Sequence, residues 1–124
     1  MSPEPQKLVF VYGTLKRGCS NHHFLTGQTF VAEARTAPGF RLYSLGGFPG
    51  MITQEGDREG VTGEIWSVDA DALVRLDGLE GVDEGMYRRE AVPLQPPHAD
   101  LGIEGYVYAR SVAGRKDLGS TWTE

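Results

Sequence analysis

Cysteine is nearly absent: Cys19 is the single thiol in 124 residues, so no intrachain disulfide can form. No apolar run approaches the roughly 20 residues that cross a bilayer. The opening segment MSPEPQK is polar and carries no apolar stretch of the signal-peptide kind. The expectation is a cytoplasmic protein with no membrane partner. Basic clusters are missing too. The net charge is −5, and pairs such as Lys16–Arg17 and Arg88–Arg89 stand isolated. A chain of this kind has no stripe of cations to replace the counterions of a nucleic acid, so no nucleic-acid partner is expected. Metal-ligand spacing is also lacking. His22 and His23 diverge on any regular structure, His98 is far away, and no Cys-x-x-Cys or His-x-x-x-His occurs. No Gly-x-Ser-x-Gly elbow presents a serine, and Cys19 has no histidine in a recognisable nucleophile motif.

Glycine and proline are plentiful, at 17 and 7 residues, and they argue for many turns and short strands rather than a helix bundle. With 40% hydrophobic and 23% charged residues, the chain can bury one ordinary core. Strands are expected at Lys7–Tyr12, Thr29–Thr36, Phe40–Leu45, Gly60–Val68, Tyr87–Leu94 and Gly105–Ala109. Gly46, Gly47, Pro49 and Gly50 read as an interruption. A helical turn is expected near Asn21–Leu25. The clearest helix is Asp69–Leu79, with Asp69 as N-cap, leucines at 73, 76 and 79, and Gly81 as its stop. Residues 1–6 read as a flexible arm, 7–110 as the domain and 111–124 as a polar tail. The fold class is α+β, with a curved sheet or small barrel.

Two places carry chemistry. Tyr12-Gly13-Thr14-Leu15-Lys16-Arg17-Gly18 follows a strand, and glycine there lets a ligand approach backbone N–H groups that can bind an anion. A tight turn leaving the strand explains the same residues equally well. Gly13 and Gly18 have the spacing of a nucleotide-binding loop, with Ser20 at the hydroxyl position. Cys19, however, replaces the lysine that such a loop needs. Glu80 is the second place. Helical spacing puts it on the face of Leu73 and Leu76, where burial would raise its pKa. If the helix ends a turn early, it is a solvated acid. Asp77, Asp83 and Glu84 read as solvated carboxylates. Tyr106 and Tyr108 share one side of a strand, facing either a pocket or the core.

Taken together, these motifs resemble the gamma-glutamylcyclotransferase-like family, in particular its gamma-glutamylamine cyclotransferase branch. The matching blocks are Val9–Gly18 with Asn21, Gly60–Trp66, Leu76–Gly81 with Tyr87-Arg88-Arg89, and Gly105–Tyr108. The resemblance implies a small mixed β-barrel with flanking helices. It implies that a γ-glutamyl amine or amide cyclises to 5-oxoproline and releases its amine, with no cofactor or metal. It assigns the general acid/base to Glu80 and the α-carboxylate to the backbone of Tyr12, Gly13, Thr14 and Leu15. Tyr87 and Tyr108 are the further expected substrate contacts. A second reading is a non-catalytic module that binds a small carboxylate metabolite, suggested by the acidic segment Gly81–Gly85.

Overall fold

The strand Lys7–Val11 (β1) alternates between two faces, and both are covered. Val9 and Val11 point into one apolar cluster and Phe10 into another; all three are at most 2% exposed. This division organises the computed structural model, which describes residues 6–99 and 101–124. The remaining elements in chain order are a single 3-10 turn at His22–Leu25, β2 (Thr29–Arg35), β3 (Phe40–Ser44), β4 (Pro49–Thr53) and β5 (Thr62–Val68). Then come the helix α1 (Ala70–Leu79), β6 (Tyr87–Ala91), β7 (Glu104–Tyr108) and β8 (Asp117–Gly119).

The strands pair as two sheets. A five-stranded sheet runs β2-β5-β1-β7-β6, and a three-stranded sheet runs β4-β3-β8. β1 is parallel to β7 and antiparallel to β5, so the large sheet is mixed. On one face of it, Ala72 and Leu76 of α1 and Leu25 of the 3-10 turn pack against Trp66, Val68 and Tyr106. On the other face, Phe40, Leu42 and Met51 of the small sheet pack against Phe10, Ile65 and Val107. The α+β class holds, but the strands are stacked sheets and form no closed barrel among the described residues. None of the described helices is long and apolar enough to cross a membrane.

α1 starts where expected. The Asp69 side chain accepts from the Ala72 N–H at 2.8 Å, and the Gln28 amide brackets Asp69 from both sides. Gly81, at φ +63°, turns the chain out of the helix in a region that other residues avoid.

Three expectations need correction. Gly46–Gly50 does not simply interrupt the chain, because Pro49 opens β4. Proline fits there: it is the first residue of an edge strand, where its missing N–H removes no ladder bond. β6 stops at Ala91 rather than Leu94, which forms only an isolated bridge with Thr36. The expected tail is partly ordered into the fold. β8 pairs with β3, Trp122 packs against the small-sheet core, and the Lys16 ammonium donates to the Trp122 carbonyl. Of the arm expected at 1–6, residues 1–5 lie outside the described residues.

Two tyrosine hydroxyls cross from one sheet to the other. Tyr12 donates to the Tyr106 carbonyl at 2.8 Å and accepts from the Met51 N–H at 3.1 Å; Tyr87 donates to the Pro49 carbonyl at 2.7 Å. Tyr12→Phe keeps the ring but strands a buried N–H and a buried carbonyl. It is expected to lower stability by about 1–3 kcal/mol, read as a shifted urea midpoint with an unchanged m-value.

Candidate active site

The end of β1, the end of α1 and the tip of the β3–β4 hairpin meet at one narrow cleft. Its walls are Tyr12–Leu15, Phe48–Pro49, Glu80, Tyr87 and Tyr106. The loop Tyr12–Leu15 leaves the strand in a turn closed by the Lys16 N–H on the Gly13 carbonyl. Its own amides are left over: among the described residues, no acceptor meets the N–H groups of Gly13, Thr14 or Leu15. Gly13 has to be glycine for spatial reasons. A Cβ at this position would lie 2.7 Å from Cγ and 3.0 Å from Cδ of Pro49. The bare backbone is therefore what lets the loop and the hairpin close on each other.

Glu80 caps α1, its N–H still bonded to the Leu76 carbonyl at 3.0 Å. The side chain turns into the cleft. Among the described residues it has no hydrogen-bond donor, yet its oxygens retain some accessible surface. Burial alone pushes its carboxyl up to about 7 from the usual 4.5. The hydroxyls of Tyr12, Tyr87 and Tyr106 are pushed up as well, chiefly by burial and further by the Glu80 charge. They remain protonated donors at any working pH. A second cavity of about 280 Å³ adjoins the cleft, sharing Thr14, Phe48, Glu80 and Tyr87 with it.

Of the residues singled out from sequence, Tyr12, Gly13, Thr14, Leu15, Glu80 and Tyr87 come together in this cleft. Tyr108 does not reach it: the ring lies behind Tyr87, edge-on at 5.4 Å. Its neighbour Tyr106 lines the cleft instead. Phe48 and Pro49 escaped sequence reading, because the glycines around them read only as a turn.

Asp77 is not a solvated acid. Its oxygens accept from Nε (2.9 Å) and Nη2 (3.2 Å) of Arg89 and from the Tyr106 hydroxyl (2.8 Å). Arg89 also donates to Glu104, so the last turn of α1 is tied to β6 and β7 beside Glu80. Removing the guanidinium in Arg89→Met leaves a partly buried carboxylate without its cation. The expected loss is about 1–2 kcal/mol, measured by thermal unfolding at neutral pH.

The rest of the loop is structural. Arg17 bonds the buried Glu64 carboxylate and stacks on Phe30 at 3.7 Å. Trp66 Nε1 also donates to Glu64. The α-helix that should follow a nucleotide-binding loop is replaced by a four-residue 3-10 turn. No group of three metal-ligating side chains occurs among the described residues. Asp83 and Glu84 are exposed.

Residues 9–124 match the family described as gamma-glutamyl cyclotransferase, AIG2-like. The gamma-glutamylcyclotransferase family protein YtfP of Escherichia coli is 33% identical over 108 residues, covering 87% of this chain and 88% of its own length. The gamma-glutamylaminecyclotransferase A of zebrafish (Danio rerio) is 37% identical over 94 residues, covering 70% of this chain and 58% of its own. The crystal structure of an AIG2-like protein from mouse (Mus musculus) superposes with a TM-score of 0.70 at 32% identity, over 86% of this chain and 78% of the other. The chain belongs to the gamma-glutamyl cyclotransferase, AIG2-like family.

Proposed function

We propose that this chain is a cyclotransferase that converts a small γ-glutamyl amine or amide to 5-oxoproline and the free amine, with Glu80 as general acid and base. One observation carries the reading: a carboxylate without a hydrogen-bond partner among the described residues, pushed up to about 7, shares a narrow cleft with three backbone N–H groups that are unengaged among them.

The reaction needs two things from the protein. The substrate's α-carboxylate must be held so that its α-nitrogen faces its own γ-carbonyl, since ring closure is intramolecular and positioning supplies much of the rate. The N–H groups of Gly13, Thr14 and Leu15 suit that anion. The α-ammonium must also lose a proton before it can attack. Ionised Glu80 takes this proton. The nitrogen then bonds to the γ-carbon, and the carbonyl oxygen carries the negative charge of the tetrahedral intermediate. As the carbon–nitrogen bond to the leaving group breaks, Glu80 delivers a proton to the departing nitrogen. The ring nitrogen sheds its second excess proton by the same route, so two protons leave one nitrogen and two reach the other. The amine departs as ammonium and Glu80 is regenerated. No protein nucleophile is needed.

The test is to incubate the protein with a panel of γ-glutamyl amines and γ-glutamyl amino acids and assay 5-oxoproline. Formation of 5-oxoproline with an equal yield of amine supports the reading. Saturable binding of unreacted compounds by calorimetry, with no product, replaces it with a carboxylate-binding module.

A further inference from the structure

We infer that His22 is a positioning residue: its ring sets the direction of the loop N–H groups that take the substrate's α-carboxylate. This rests on the cyclotransferase reading and adds to it a residue outside the cleft.

A peptide group is planar, so the carbonyl of one residue and the N–H of the next point opposite ways. Holding a carbonyl toward one partner therefore turns the following N–H away from it. Each carbonyl from Gly13 to Leu15 is held in this manner. Gly13 accepts from the Lys16 N–H at 3.1 Å, and Thr14 from the Asn21 N–H at 2.8 Å. Leu15 accepts from Nδ1 of His22 at 3.0 Å. The first two donors are backbone groups. The third is a side chain, and no other donor meets the Leu15 carbonyl among the described residues.

The effect of that side chain runs through two peptide planes. The Leu15 carbonyl shares its peptide with the Lys16 N–H, and that N–H closes the turn on the Gly13 carbonyl. The Gly13 carbonyl in turn shares its peptide with the N–H of Thr14, a residue that lines the cleft. A donor on His22 thus acts at Thr14 without touching the substrate.

The ring is itself held. A carbonyl oxygen only accepts, so Nδ1 carries the proton. The half-buried imidazole packs edge-to-face with Trp66, with 5.3 Å between centroids. Trp66 donates Nε1 to the buried Glu64 carboxylate, which also accepts from the N–H and Nε of Arg17. Glu64, which the proposed reaction does not use, anchors the support of the ring. His23 provides the contrast: it is exposed, and its ring lies against neighbouring Phe24.

Three variants, assayed with one γ-glutamyl compound well below their melting temperatures, test the inference. His22→Phe keeps a ring against Trp66 and loses the donor. The α-carboxylate keeps its charge from bound substrate to transition state, so a weakened grip on it is read mainly in KM. KM is expected to rise roughly five- to tenfold, with kcat within about twofold of the parent. His22→Asn, whose Nδ2 reaches the position of Nδ1, should bring KM back toward the parent. His23→Phe should match the parent. A parental KM in His22→Phe overturns the inference and leaves the cyclotransferase reading intact. So does a raised KM that asparagine fails to lower, because the ring would then only fill space. No 5-oxoproline from the unaltered protein across the panel overturns both. If His22→Phe does not fold, long-range nitrogen–proton NMR of the unaltered protein at alkaline pH decides. A neutral His22 protonated on Nδ1 supports the inference, and one protonated on Nε2 overturns it.

Discussion

Glu80→Gln is expected to abolish most turnover while leaving the protein folded. Glutamine fills the same space but cannot take the α-ammonium proton or return one to the leaving amine. Loss of a positioned general acid/base lowers kcat on the order of 10²–10⁴-fold. The pH dependence separates this role from a structural one. In the proposed mechanism Glu80 acts in its ionised form, so kcat/KM should rise with pH through a midpoint near 7, where burial places this carboxyl. Any residual rate of the variant should lack that step. Stability should move in the opposite direction. The folded chain holds the Glu80 proton more tightly than the unfolded chain does. This group's contribution is therefore neutral below about pH 4.5, and its unfavourable share grows as pH rises toward about 7. The glutamine variant escapes that decline and should melt no lower than the parent at pH 8. A variant with parental kcat would remove Glu80 from the mechanism.

Gly13→Ala carries the next largest effect. A single methyl group would stand 2.7 Å from the Pro49 ring, and the ring cannot swing aside like the end of a flexible chain. Pro49 is further fixed because its carbonyl accepts from Tyr87. Either the loop or the hairpin must shift by several tenths of an ångström, which displaces the three N–H groups assigned to the α-carboxylate. Misplacement of this order costs about 10²-fold in kcat/KM, and the forced repacking about 1–3 kcal/mol. Substrate kinetics and a melting curve on one preparation measure both. A parental KM would show that the loop does not hold the substrate.

The elements that pattern and caps define were legible in the sequence. KLVFVY announced a buried strand because both of its faces are covered. Asp69, Leu76 and Gly81 marked α1 through a cap, an inward leucine and a left-handed stop. β4 was hidden because its proline and glycine disfavour strands locally. It pairs with β3 over five positions, and Tyr12 and Tyr87 bond its backbone from the other sheet, tertiary support invisible in a local window. Asp77 was misjudged for a similar reason, since its partners Arg89 and Tyr106 come from β6 and β7. Tyr106 and Tyr108 were indistinguishable by alternation. Both point to the same side, and in the fold Tyr106 borders the cleft while Tyr108 packs edge-on against Tyr87. For Glu80, periodicity left two readings, and the unpartnered carboxyl inside the cleft favours the inward one.

The Tyr12 and Tyr87 hydroxyls make the cleft part of the joint between the sheets. The space between its walls measures about 30 Å³, room for about one water. On the proposed function, a γ-glutamyl group would have to part the hairpin tip from the Tyr12 loop, loosening the same bonds that keep the sheets together. Admission of ligand and local breathing of the fold become a single motion. The Met51 amide, whose hydrogen points at the Tyr12 oxygen, is its natural clock. Deuterium uptake at Met51 counts the openings in the free protein, and an occupied cleft should slow it.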